Sequence, residues 1–111
     1  MRDLNYMRVI RYNQGTGRKI LIYGQSIDDK ACIFGYTKMG GVLRIVCIAV
    51  ARQWQRHGFG QELLYRAMQF AQDNRMHIET RTRTGVRFYM KYGGAYIVGK
   101  RGDDFVLRID V

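Results

Sequence analysis

The hydrophobic period of this chain changes at residue 59, and that change limits what the chain can fold into. Before it, short apolar runs alternate with turn-forming residues: "YMRVIRY" (6–12), "KILIYGQ" (19–25), "KACIFGYTK" (30–38) and "VLRIVCIAV" (42–50), separated by "NQGTG", "SIDD" and "MGG". Runs of this length, bounded by Gly, Asn and Asp, predict strands joined as an antiparallel meander. The fourth run is apolar on both alternations apart from Arg44, which predicts a central strand covered on both faces. After the change, Leu63, Leu64, Ala67, Met68, Phe70 and Ala71 recur at helical spacing, and Gln61, Glu62, Arg66, Gln69, Gln72 and Asp73 fill the other side. This predicts an amphipathic helix from Phe59 to near Asn74.

The rest of the chain completes an α+β pattern. "MHIETRT" (76–82) is strand-like, and a strand following a helix following a strand implies a parallel crossover. "TGVRFYMKY" (84–92) reads as a short helix that Gly93 and Gly94 stop, since Gly is the preferred residue past a helix C-terminus. "AYIVG" and "DFVLRIDV", joined by "KRGD", form a closing hairpin. The length suits a single domain over residues 1–111.

Nineteen Lys and Arg against nine Asp and Glu give a formal charge of +10, which favours anionic partners: nucleic acid, an acidic protein or a phosphorylated cofactor. Cys32 and Cys47 have no metal-ligand spacing and each lies in an apolar stretch. They read as buried free thiols of a cytoplasmic protein, and no metal site is expected. No apolar run approaches the roughly 18 residues of a membrane span, so no membrane partner is expected.

The most informative stretch is "QRHGFG" (55–60), between the fourth strand and the long helix. Gly inside a helix costs about 1 kcal/mol relative to Ala, so glycines at 58 and 60 call for a compensating role. Backbone N–H groups at a helix start are unsatisfied by the helix and lie at its positive end. Glycine lets a phosphate approach that backbone, and Gln55, Arg56 and His57 add donors or charge. The stretch reads as an anion cradle. A dinucleotide fingerprint would need Gly where Leu63 stands, and the Gly-Lys-Ser/Thr ending of a Walker loop is absent.

The strand ending "CIAV" followed by "QRHGFG" resembles the Gln/Arg-x-x-Gly-x-Gly/Ala signature of the GNAT N-acetyltransferase superfamily, and "RFYMKYGG" resembles its second motif. The resemblance covers about residues 19–111 in element order. It implies a central mixed, mostly antiparallel sheet whose fourth and fifth strands splay apart. It implies acetyl-CoA as cofactor, with the pyrophosphate on the backbone of Gln55, Arg56, His57, Gly58, Phe59 and Gly60. The pantetheine arm of the coenzyme A would lie along the main chain of Ile48, Ala49 and Val50. Tyr89 sits where the family often has a Tyr that protonates the departing thiolate. The chemistry implied is direct attack by a primary amine on the acetyl thioester, with backbone N–H groups stabilising the oxyanion.

The chain also departs from the family pattern. Gly94 replaces an aromatic after Gly, and Thr82 or a neighbour stands near the usual Asn. Many members carry a Glu on the fourth strand as general base, but "VLRIVCI" has none; Glu79, on the fifth, is the single carboxylate in the central strands. It is the candidate catalytic base, which needs a pKa raised by burial or a water relay to the amine. "NQGTG" has no room for the two N-terminal helices that help form the acceptor site, so these are expected to be reduced or missing. That implies an open groove suited to an amine on a protein, peptide or nucleic acid.

Each of these residues has a plain structural alternative. The loop could be a simple strand-to-helix turn and Tyr89 a packed aromatic. Glu79 could be a strand-face carboxylate paired with Arg81, Arg83 or Arg87, and Cys47 a core residue. Two other functions stand beside the enzyme. One is a non-catalytic module of the same fold binding acyl-CoA or nucleic acid through its basic surface. The other is a partner protein that completes its small core as a homodimer through the edge of the closing hairpin.

Overall fold

The computed structural model describes residues 7–13, 18–24 and 31–111 except His57, with side chains from Ile33 onward apart from Trp54. Within these residues the period-two runs form strands and the period-3.6 run forms a helix. The elements are β1 (Met7–Asn13), β2 (Arg18–Gly24), β3 (Ala31–Lys38), β4 (Val42–Val50), α1 (Phe59–Asp73), β5 (His77–Thr82), α2 (Val86–Gly93), β6 (Tyr96–Arg101) and β7 (Asp104–Ile109). A single 3-10 turn, Arg52–Trp54, follows β4. The expected turns "NQGTG" and "SIDD" fall largely outside the described residues. Only residues 14–17 separate β1 from β2 and only 25–30 separate β2 from β3, too few for the two additional helices.

All strands join one sheet in the order β1-β2-β3-β4-β5-β7-β6. Only β4 and β5 pair in parallel, and α1 connects them as a crossover; the other neighbours are antiparallel. α1 packs Leu63, Leu64, Ala67 and Ala71 against one face of the sheet, where Leu43, Ile45, Ile78, Leu107 and Ile109 alternate inward. Each large side chain removed from water there contributes on the order of 1.5–3 kcal/mol. The small Ala67 and Ala71 bring the helix close. α2 ends over the same layer, so close that a Cβ on Gly93 would stand 2.7 Å from Ile109 Cδ1.

The middle of β4 carries a bulge. Phe34 pairs with Cys47 but Gly35 pairs with Ile45, leaving Val46 as the extra residue. Gly35 permits this approach, because a Cβ there would lie 2.7 Å from the Arg44 carbonyl oxygen. Pairing with β5 runs from Val42↔His77 to Ile45↔Thr80 and stops. Beyond that point β5 turns away with β7 while β4 continues to Val50, so the two strands splay as expected. The expectation that β4 is covered on both faces is therefore corrected. Leu43 and Ile45 are buried, but Val46 is 47% exposed and Cys47 is exposed, because the neighbouring strand has left. At the far edge, β6 exposes Tyr96, Ile97 and Val98, with Val98 as a further bulge.

Substituting Gly35→Ala should destabilise the protein by about 2 kcal/mol, since the new methyl meets backbone that cannot yield without disturbing the bulge. Gly99→Ala, with nothing within 4 Å of its new methyl, should stay within about 0.5 kcal/mol of wild type. Urea unfolding midpoints of the two variants would check both.

Candidate active site

The divergence of β4 and β5 opens a cleft of ≈ 420 Å³ through the sheet. β4 supplies Val46, Cys47, Ile48 and Val50; β5 supplies Arg81 and Thr82. Phe88 and Tyr89 of α2 close one side, and Gln55 and Gly60 stand at the loop end. β4 has no strand partner on the β5 side past Ile45, so main-chain polar groups of this stretch face the cleft.

The loop between β4 and α1 is built from two left-handed residues, Arg56 at φ 68 and Gly58 at φ 83. Left-handed backbone costs a non-glycine residue roughly 1–2 kcal/mol, so Arg56 holds a strained conformation. The Gln55 side-chain amide donates to the Val50 carbonyl at 3.2 Å and ties the loop to the strand end. Gly58 caps α1 without a side-chain hydrogen bond; its carbonyl accepts from the Glu62 N–H at 3.0 Å. The positive end of a 15-residue helix therefore points into the loop. A Cβ on Gly60 would touch the Phe88 ring at 3.5 Å and Val50 at 3.7 Å, so the bare backbone there forms one wall of a narrow cradle. A second hollow of ≈ 260 Å³, bounded by Arg56, Gly58, Phe59 and Tyr92, shares Val50, Gln55, Gly60 and Phe88 with the cleft. The two hollows adjoin along these four residues and together make up a channel.

Charge around the channel is uneven. Arg52, Arg56, Arg87 and Lys91 have no carboxylate partner among the described residues, and they stand on the loop and helix that bound the second hollow. Lys91 lies over the Tyr92 ring, 5.3 Å from its centroid. Helix dipole, exposed backbone and unpaired cations together favour an anion with several oxygens.

Tyr89 is 6% exposed and stacks edge-on against Phe88 at 5.3 Å. Burial pushes its phenol above the ordinary value of 10.0, a hydrogen bond with the Thr80 side chain works against that rise, and Cys47 adds a smaller push upward. A phenol raised in this way keeps its proton throughout the physiological range. Thr80 is itself buried, and its hydroxyl donates to the Ile45 carbonyl at 2.9 Å, at the last rung of the β4–β5 pairing.

Glu79 lies elsewhere. Its register places it directly between Arg44 of β4 and Arg108 of β7, and it does not line the cleft. Its Oε1 accepts from Arg44 Nη1 at 3.1 Å and from Lys38 Nζ at 3.4 Å. The expected pairing with Arg81, Arg83 or Arg87 is corrected. A residue directly across a sheet is closer than one two positions along the same strand, about 6.6 Å away. Arg81 and Arg83 bond instead to Asp104 and Asp103 at the β6–β7 turn.

Of the residues singled out in the sequence, Ile48, Val50, Gln55, Gly60 and Tyr89 line the cleft, and Arg56, Gly58 and Phe59 line the adjoining hollow. Ala49 is exposed outside both, and His57 is not among the described residues. The placement of Cys47 in the core is corrected: it is a free, exposed thiol on the cleft wall, opened by the loss of β5 beside it. Thr80, Arg81 and Phe88 went unrecognised as site residues. The one available signal was their position beside Glu79 and Tyr89 in predicted elements.

Comparison with known proteins gives a consistent result. The sequence model of the Acetyltransferase (GNAT) family matches residues 21–94. No sequence among curated proteins matches this chain. Among solved structures, a PaiA N-acetyltransferase from Thermoplasma acidophilum in complex with coenzyme A is similar at a TM-score of 0.72 and 17% identity, over 83% of this chain. This chain spans 61% of that protein's length. Ard1 from Thermoplasma volcanium is similar at a TM-score of 0.67 and 23% identity, over 83% of this chain and 70% of that one. A GNAT family acetyltransferase from Elizabethkingia anophelis with acetyl-CoA bound is similar at a TM-score of 0.68 and 17% identity, over 85% of this chain and 76% of that one. The family match runs from β2 through α2, the elements that bound the cleft; the chain belongs to the GNAT acetyltransferase family.

Proposed function

We propose that this protein is an acetyl-CoA-dependent N-acetyltransferase acting on a primary amine. The observation that carries this reading is the opening of β4 from β5 directly beside a glycine loop at the positive end of α1. The coenzyme A and acetyl-CoA bound in the PaiA and Elizabethkingia structures support it. The residues present fit the cofactor: β4 past Ile45 offers main chain without a β5 partner, and the loop at the start of α1 offers Arg56 and bare backbone at Gly58 and Gly60. Bound there, acetyl-CoA supplies an acetyl thioester whose C–S bond is exchanged for a C–N bond, one proton passing from nitrogen to sulfur.

The chain's own groups divide the remaining work. The backbone of Gln55 through Gly60, with Arg56, holds the pyrophosphate. Ile48, Ala49 and Val50 hold the arm through their main chain. Tyr89, with its proton retained, stands as the acid for the departing sulfur. No described carboxylate lines the cleft, so the proton lost by the amine passes to water through the open mouth. Glu79, held by two cations, acts as a base only through a water relay. The openness of the cleft suits an amine on a protein or other macromolecule, and the cytoplasm, one compartment that holds acetyl-CoA, is the location that goes with this reading.

Calorimetric titration should give micromolar binding of acetyl-CoA to the wild type and none to Gly60→Glu. Gly60→Ala, whose methyl the fold accommodates at ordinary contact distance, should bind at least about tenfold more weakly because the methyl occupies the cradle. Absence of wild-type binding at millimolar cofactor would overturn the reading and favour the alternative of a non-catalytic, nucleic-acid-binding module. Tyr89→Phe should lower kcat about 100-fold at unchanged cofactor affinity. An unchanged kcat in steady-state assays would reduce Tyr89 to a packing residue.

A further inference from the structure

Among the described residues lining the cleft, Arg81 alone is charged. Strand alternation puts Ile78 and Thr80 on the face toward α1 and Glu79 and Arg81 on the opposite, open face. Arg81 therefore stands at the mouth of the cleft away from the α1 loop, where the acceptor enters if the cofactor occupies the loop side. Its guanidinium is anchored at one point: Nε donates to Asp104 Oδ2 at 3.2 Å. The two Nη groups have no partner among the described residues, so the fork is fixed in direction and free at its end. That arrangement matches two oxygens of one anion, and loses little side-chain freedom on binding because Asp104 already holds it.

The surroundings sharpen the preference. Asp104 lies between Arg81 and Arg83, and Glu79 between Arg44 and Lys38, so these two carboxylates each serve two cations, while Asp103 pairs with Arg83 in the exposed turn and does not line the cleft. An acceptor carrying a second ammonium group would find no carboxylate among the described residues that line the cleft. We infer that the acceptor is an amine carrying its own anionic oxygen group, a carboxylate or a phosphate a few bonds from the nitrogen, and that Arg81 holds that group. The inference rests on the transferase reading and narrows it. It makes Arg81 a substrate-binding residue that sets which amines are presented to the thioester.

The test compares β-alanine, phosphoethanolamine, propylamine and putrescine as acceptors at saturating acetyl-CoA. β-Alanine or phosphoethanolamine should exceed propylamine and putrescine at least about tenfold in kcat/KM, and the two anionic arms distinguish carboxylate from phosphate. Arg81→Gln should raise KM for the anionic amines about 10- to 100-fold, the usual effect of losing a charge-assisted pair, with kcat little changed and propylamine unaffected. Arg81→Lys should recover part of the loss, and Arg81→Glu should shift preference toward putrescine. A thermal midpoint close to wild type in each variant excludes misfolding. Wild-type preference for putrescine or propylamine, or an equal loss for every amine in Arg81→Gln, would overturn the inference. If cofactor does not bind, the transferase reading fails instead; if it binds but none of these four small amines is acetylated, that reading still holds for an amine on a macromolecule. The inference is then decided by NMR titration of β-alanine and phosphoethanolamine into coenzyme A-saturated protein: shifts that vanish in Arg81→Gln support it, and shifts independent of Arg81 or no binding overturn it.

Discussion

The parallel pairing of β4 with β5 ends at Ile45 and Thr80, where the Thr80 hydroxyl donates to the Ile45 carbonyl at 2.9 Å. A buried carbonyl at the end of a ladder needs a donor, and here a side chain supplies what the next rung would have given. β5 is then free to follow β7, and β4 is free to continue alone to the loop. The bulge at Val46, tolerated because Gly35 has no side chain, falls at the same level. Cleft, loop position and approach of α2 all follow from this one termination. Tyr89 reaches the cleft because Thr82 accepts from the Gly85 N–H at 2.8 Å and starts α2 immediately after β5.

The large net charge is not spread evenly over the described residues. On the open face of the sheet, Lys38, Arg44, Arg81, Arg83 and Arg108 are met by Glu79, Asp103, Asp104 and Asp110. Exposed pairs of this kind add little stability, but they reduce the local field. Of the cations without a carboxylate partner among the described residues, Arg52, Arg56, Arg87 and Lys91 stand where an anion would meet backbone N–H groups, while Arg75, Lys100 and Arg101 lie elsewhere. Fields of this kind raise the rate at which an anionic ligand finds its site, and salt weakens the effect.

Element types were legible because they depend on local periodicity: α1 begins at Phe59, where the period changes, and α2 stops at Gly94, whose φ of 66 is the left-handed cap that "GG" implied. The loop was legible because its glycines are costly in any other role. What stayed hidden depends on which strands are neighbours. Cys47 sits in an apolar run like any core thiol, and its exposure comes from β5 leaving, which no residue near Cys47 encodes. The partners of Glu79 were misread for the same reason, since cross-strand register brings Arg44 beside it from 35 positions away. Arg81 carried no signal beyond its place beside Glu79, because its anchoring arises from the hairpin turn that supplies Asp104.

The four rungs from Val42↔His77 to Ile45↔Thr80 are also the single seam between two antiparallel halves of the sheet, β1–β4 and β5-β7-β6. A molecule seated in the cleft touches β4 on one bank and β5 and α2 on the other, beyond the point where the seam ends. It thus acts as a clasp across an unzipped edge. Its binding free energy adds to the cohesion of the halves, so the resistance of this small protein to mechanical or thermal parting along that line becomes a function of ligand concentration.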